Sequence, residues 1–122
     1  MRAVYAMSNG GVDMLQVGDV ATPDPSGGEI RVRVHASAVN HADVKVLRGN
    51  RLLHKKAFPL VVGYDFSGVV DALGSGVRDL HVGDHVYGHL RYASSNDQGA
   101  FAEYLESIST REGKWPIVSC DH

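Results

Sequence analysis

Turn-forming residues cut this chain into strand-sized pieces, and no other feature narrows its fold so much. Pro23-Asp24-Pro25-Ser26-Gly27-Gly28 joins residues that preset φ, tolerate positive φ or bond their own backbone, so the segment is a loop. Gly74-Ser75-Gly76 and Val82-Gly83-Asp84 make further turns. Between the first two, Ile30, Val32 and Val34 alternate with Arg31, Arg33 and His35, a period of two with one apolar face and one wet face. Phe66 to Leu73 is nearly continuous in small and β-branched residues, the pattern of a strand covered on both faces. Leu15 to Val20, His85-Val86-Tyr87 and Ala100 to Leu105 read as short strands; in the last, Phe101 and Glu103 oppose Ala102 and Tyr104. A short helix is expected from about His41 to Arg48, with Asn40 placed to cap it. Short strands broken by close-set turns predict a mainly β chain, a small barrel or sandwich. No βαβ alternation offers a parallel sheet for a dinucleotide.

The chain has 122 residues, enough for one domain and not for two of ordinary size. Apolar residues make up 43 %, the range of a folded chain rather than a disordered one. A net charge of -2 argues against a nucleic-acid partner, and no basic helix suggests a membrane surface. Cys120 is the sole cysteine, so no intrachain disulfide and no multi-cysteine zinc site can form. Met1 to Met7 is too short an apolar run for a signal peptide, and no stretch approaches membrane-span length. A cytoplasmic protein is the expectation.

The end of the chain reads differently. Lys114-Trp115-Pro116-Ile117-Val118 leads into Ser119-Cys120-Asp121-His122, where a hydroxyl followed by an aspartate two residues later is how a helix begins. The expected organisation is therefore a domain over 1–118 and the start of a linker helix over 119–122, with a longer protein cut at this point.

Several blocks then invite comparison with known proteins. Met1-Arg2-Ala3-Val4, Gly28 to Val34, Val39-Asn40-His41-Ala42-Asp43 and Gly63 to Val70 come first; Gly74-Ser75-Gly76-Val77, Val82 to Gly88 and Gly99 to Tyr104 follow. In this order the chain resembles the medium-chain dehydrogenase/reductases, and within them the quinone oxidoreductase branch that includes zeta-crystallin. The resemblance implies a partly open GroES-like β-barrel with a few short helices, followed in the family by a Rossmann domain that this chain lacks. It implies NADPH, bound mainly by that absent half, as cofactor, and a small quinone or enone as substrate. It also implies a homo-oligomer for the full-length protein. Gly74-Ser75-Gly76-Val77-Arg78-Asp79 is not a dinucleotide fingerprint, because it lacks the third glycine and leads into a turn.

The same resemblance bears on zinc. Alcohol dehydrogenases of this superfamily carry Cys-His-x-Asp where this chain has Asn40-His41-Ala42-Asp43, and Gly-His-Glu where it has Gly63-Tyr64-Asp65. Asparagine and tyrosine replace the thiolate and imidazole that bind the catalytic metal, and neither neutral group competes as a ligand. No cysteine lies between His89 and Tyr104, so the structural-zinc lobe is missing too. His81, His85 and His89 are spaced as on a helix, yet Gly83-Asp84 and Gly88 oppose one, leaving these as surface or turn histidines.

Asn40 and Tyr64 are the candidate catalytic residues. Asn40 either caps the helix, or places an amide near the nicotinamide and the substrate carbonyl as the family implies, or does both. Tyr64 is either a packed ring with a satisfied hydroxyl or a donor to an oxygen on which negative charge develops. His41, Asp43, Asp65, Arg51 and Leu52 are expected at the cleft. Asp43 and Asp65 are placed to orient neighbours, His41 to sit solvated or shuttle a proton, and Arg51 and Leu52 to rim the substrate where relatives often carry tyrosine. Two alternatives stand beside the reductase: a catalytically silent fragment or small binding module, and a zinc alcohol dehydrogenase domain. Elemental analysis of the purified protein discriminates the last, with far less than one zinc per chain expected.

Overall fold

The computed structural model describes residues 1–49, 58–90, 99–108 and 118–119. Strands dominate: β1 (Arg2–Ala6), β2 (Gln16–Asp19), β3 (Glu29–Ala38), β4 (Leu60–Val61), β5 (Asp65–Leu73), β6 (His85–His89), β7 (Tyr104–Ile108) and β8 (Val118–Ser119). A helix, α1, spans His41–Leu47, and a single 3-10 turn Val12–Met14. The strands form two antiparallel sheets in the orders β2-β1-β4 and β7-β3-β5-β6-β8, not closed on each other, which is the partly open, mainly β architecture expected.

The long sheet grows around β3. Its Ile30 and Val32 are fully buried while Arg33 and His35 are exposed, so the alternation in the sequence becomes a core face and a solvent face. β5 lies beside it from Ile30↔Leu73 to Ala38↔Asp65, with register shifts between Arg31 and Val32 and between Val34 and Ala36. Phe66, Gly68 and Val70 of β5 are buried, but Asp65, Ser67, Val69 and Asp71 are only half-buried. The expectation of a strand covered on both faces is thereby corrected. Antiparallel sheets can leave one face partly wet, and the small, β-branched run served the close approach of β3 instead. A Cβ at Gly68 would collide with the Arg33 carbonyl, so the glycine is there for the neighbouring backbone.

Arg31 fastens the turn-rich loop to this sheet. Its Nε donates to Asp71 Oδ1 at 2.9 Å, its Nη1 donates to the Pro23 carbonyl at 3.2 Å, and its guanidinium stacks 5.4 Å from the Tyr104 ring. The Asp71 carboxylate holds the guanidinium pKa above its ordinary value, with burial working the other way.

Two expected boundaries move. The strand read at Ala100 to Leu105 begins at Tyr104, because the preceding residues bond elsewhere. Gly99 N–H donates to Val61, Ala100 N–H to Gly63 and Phe101 N–H to Val62, while Val4 N–H donates to the Phe101 carbonyl. This 99–101 strap, with an isolated bridge Ala3↔Ala102, ties the short sheet to the long one. At the other end, Ser119, expected to open a helix, is in β8 and pairs with Val86; residues 120–122 lie outside the described residues.

The strap also dictates Gly63. Its φ of 102° suits glycine alone, and a Cβ there would stand 2.6 Å from Phe101 Cδ1. Gly63→Ala is expected to cost about 1–3 kcal/mol in equilibrium denaturation. A stability unchanged from the parent would show that the strap yields.

Candidate functional site

Antiparallel pairing gathers the candidate residues at one end of the long sheet. Ala38 at the end of β3 pairs with Asp65 at the start of β5, and Asp65 pairs on its other side with His89 at the end of β6. Two residues beyond β3 comes Asn40, which caps α1 from an extended backbone (φ -128°, ψ 159°). Asn40 and Asp43 form a capping box across the first turn. The carboxylate arm of the box is the Asn40 N–H donating to Asp43 Oδ2 at 2.7 Å, and the backbone carbonyl of Asn40 also accepts from the Asp43 N–H at 3.0 Å. The helical expectation and the cap both hold.

Asp65 is the hub. Its Oδ2 accepts from the Asn40 side-chain nitrogen at 2.7 Å, and its Oδ1 lies 3.8 Å from His89 Nε2. The Asn40 amide thus turns its NH2 group to Asp65 and its oxygen away. Ser37 Oγ donates to the Asp65 backbone carbonyl at 2.6 Å, which pins the strand at the same point.

Asp43 is 6 % exposed and its Oδ1 has no hydrogen-bond partner among the described residues. Burial pushes its pKa up, the Asn40 N–H pulls it down, repulsion from Asp65 raises it, and the Gly63 N–H and His89 lower it in smaller measure. Burial wins. Tyr64 is 4 % exposed and packs within the core, its carbonyl accepting from the Leu90 N–H at 2.8 Å. Of the two roles open to it, the packed ring is the one its surroundings favour.

His41 is exposed on the first turn of α1 and no described contact joins it to the Asp65 hub. Arg51 and Leu52 lie outside the described residues. Sequence reasoning missed His89. Read there as a surface or turn histidine, its side chain is only 18 % exposed and stacks on Tyr64 with centroids 5.4 Å apart and planes 9° from parallel. β6 runs two residues beyond the strand expected, which turns His89 into the cross-strand neighbour of Asp65. The other two fit the expectation, His81 and His85 being exposed. Among the described residues no three His, Cys, Asp or Glu side chains converge on a metal position. The donors present, an amide and a phenol with acidic neighbours, suit hydrogen bonding rather than zinc. Beside the hub, Ala36, Ser37, Ala38, Asp65, Phe66 and Ser67 line an open groove of about 210 Å³.

A raised folded pKa means that Asp43 adds stability below its unfolded pKa and loses it as pH rises through the folded value. Asp43→Asn keeps an acceptor for the Asn40 N–H but carries no charge. Melting temperatures of the two proteins should therefore diverge in the variant's favour as pH rises from about 3 to 7. A gap constant across that range would contradict the assignment.

Comparison with known proteins agrees with this fold. The alcohol dehydrogenase GroES-like domain family matches residues 26–115. The synaptic vesicle membrane protein VAT-1 homolog-like of Mus musculus is 38 % identical over 92 residues, 75 % of this chain and 22 % of its own length. The chloroplastic quinone-oxidoreductase homolog of Spinacia oleracea is 37 % identical over 101 residues, 82 % of this chain and 30 % of its own. The Escherichia coli quinone oxidoreductase complexed with NADPH superposes with a TM-score of 0.74 at 26 % identity, covering 88 % of this chain and 31 % of that one. The chain thus spans less than a third of each of these proteins. More broadly, its relatives and structural neighbours include quinone and alkenal oxidoreductases and alcohol dehydrogenases. The chain belongs to the alcohol dehydrogenase GroES-like domain family of the medium-chain dehydrogenase/reductases, beside the quinone oxidoreductases.

Proposed function

We propose that this chain is the substrate domain of a zinc-independent, NADPH-dependent reductase of quinones or enones, completed by a nucleotide-binding half like that of its relatives. The observation that carries the reading is the Asn40–Asp65 pair. Where metal-dependent relatives bring a thiolate to zinc, this chain has an amide whose nitrogen donates to a carboxylate at 2.7 Å. NADPH, when bound, supplies the hydride. The groove of small residues at Ala36, Ser37 and Ala38 is open enough for a flat ring to lie beside Asp65, the residue that holds the Asn40 amide. The described residues hold no glycine-rich turn leading into a helix for the pyrophosphate, so this chain alone should bind NADPH negligibly.

Each residue then has a defined task. The Asp65 carboxylate fixes the amide plane of Asn40 through one N–H. The second amide N–H donates to the substrate carbonyl oxygen and stabilises the negative charge that grows there as hydride arrives. Asp43 holds the Asn40 backbone at the helix cap, so the amide stays placed between turnovers. Tyr64, too buried to serve as the main donor, backs the site with its ring. Arg51 and Leu52 are left the rim of the substrate cleft, and a cytoplasmic homo-oligomer remains the expected setting.

NADPH oxidation by the full-length protein tests this directly, with simple quinones and enones as acceptors. Asn40→Ala is expected to lower kcat on the order of 10²-fold, the usual loss for one donor to a developing oxyanion. Tyr64→Phe, which keeps the ring, is expected to change it much less. A full-length protein that oxidises no NADPH with any acceptor would overturn the proposal.

A further inference from the structure

Asp43 is engaged through only one of its two carboxylate oxygens. Oδ2 accepts from the Asn40 N–H at 2.7 Å, whereas Oδ1 has no hydrogen-bond partner among the described residues. Bulk solvent does not serve it either, because the residue is 6 % exposed. An oxygen placed in this way loses its hydration and gains no donor in return, a costly defect for a small domain.

A small cavity borders the same carboxylate. Asp43 and Val46 of α1 form one wall, and residues 60–64, from β4 through Gly63 to Tyr64, form the other. Val46, Leu60, Val61, Val62 and Tyr64 are each at most 4 % exposed, so the walls belong to the interior. The room left for the centre of a water-sized sphere is about 10 Å³. That is the threshold for a single water and far too little for an organic ligand.

We propose that this cavity is a binding site for one buried water, which donates to Asp43 Oδ1 and so steadies the carboxylate that holds the Asn40 backbone. The site does not depend on the reductase reading. An apolar hole stays dry, but an unpaired oxygen in the wall reverses that balance. A buried water wants at least a second polar partner, and the wall offers the carbonyls of Val61, Val62 and Gly63. Each of these accepts one N–H from the 99–101 strap and keeps a second lone pair. A water spanning Oδ1 and such a carbonyl gives one hydrogen to each, and both can accept it. The water would join α1 to the segment that the strap pins. A donor at Oδ1 also opposes the burial that pushes the Asp43 pKa up. A divalent cation suits the place poorly, since it needs about six oxygens around it and the space is too tight for them.

A crystal structure of the full-length protein that shows ordered solvent tests this. One solvent peak is expected in the cavity, at about 2.6–3.2 Å from Oδ1. Crystals soaked in a rubidium salt should give no anomalous signal there, which separates water from a monovalent cation. Val46→Ile adds a methylene to the wall and is expected to expel the water. Oδ1 is then left without a donor, and the melting temperature should fall by a few degrees. In a dry cavity the same methylene would fill space and raise the melting temperature. An ordered map with no peak beside Oδ1, a protein side chain donating to it instead, a rubidium signal, or a Val46→Ile protein that melts higher would each overturn the proposal. Should Val46→Ile fail to fold, the maps of the parent decide the matter alone.

Discussion

The ladder between β3 and β5 is the constraint from which the rest follows. It runs from Ile30↔Leu73 to Ala38↔Asp65 and buries Ile30, Val32, Phe66 and Val70 along one face. Those side chains leave water on folding, at roughly 1.5–3 kcal/mol each, and the gain fixes which residues can face one another. Because the ladder ends at Ala38↔Asp65, the chain leaving β3 must deliver Asn40 beside the Asp65 carboxylate. Because β6 pairs with the far edge of β5, His89 arrives on the other side of the same group. A polar cluster at a sheet end thus has an apolar cause.

What the sequence disclosed divides along the same line. Alternation at Ile30, Val32 and Val34 and the turn-formers before Gly28 made the strand and its loop legible, since both are local effects of periodicity and backbone preference. The cap at Asn40 was legible for the same reason, residue type and helix start being adjacent. The covering of β5 was misjudged because a run of small and β-branched residues looks alike whether it serves a second layer or the close approach of a neighbouring strand. The placement of Tyr104 rather than Ala100 at the start of β7 was not legible either. The strap residues before it satisfy their backbone groups against Val61, Val62 and Gly63, far away in the chain.

His89 is the clearest case of information that sequence alone does not hold. Its partners Asp65 and Tyr64 lie more than twenty positions away, and only the register between β5 and β6 brings them together. Histidines at 81, 85 and 89 look equivalent in a list of letters, yet His81 is 79 % exposed at its side chain and His89 18 %. How the Asn40 side chain would be held was not legible either, since its partner Asp65 lies 25 positions away.

The register shifts between β3 and β5 carry a consequence for how such a domain can drift. Each one lets the strand coil without breaking the ladder, and the later of them lies between Val34 and Ala36, just before the polar end. Loss or gain of a single codon beyond that irregularity would slide Ala38 past Asp65 and swap the faces of every residue between. Lineages carrying this scaffold are free to lengthen their turns, but not to change the count of letters in that stretch.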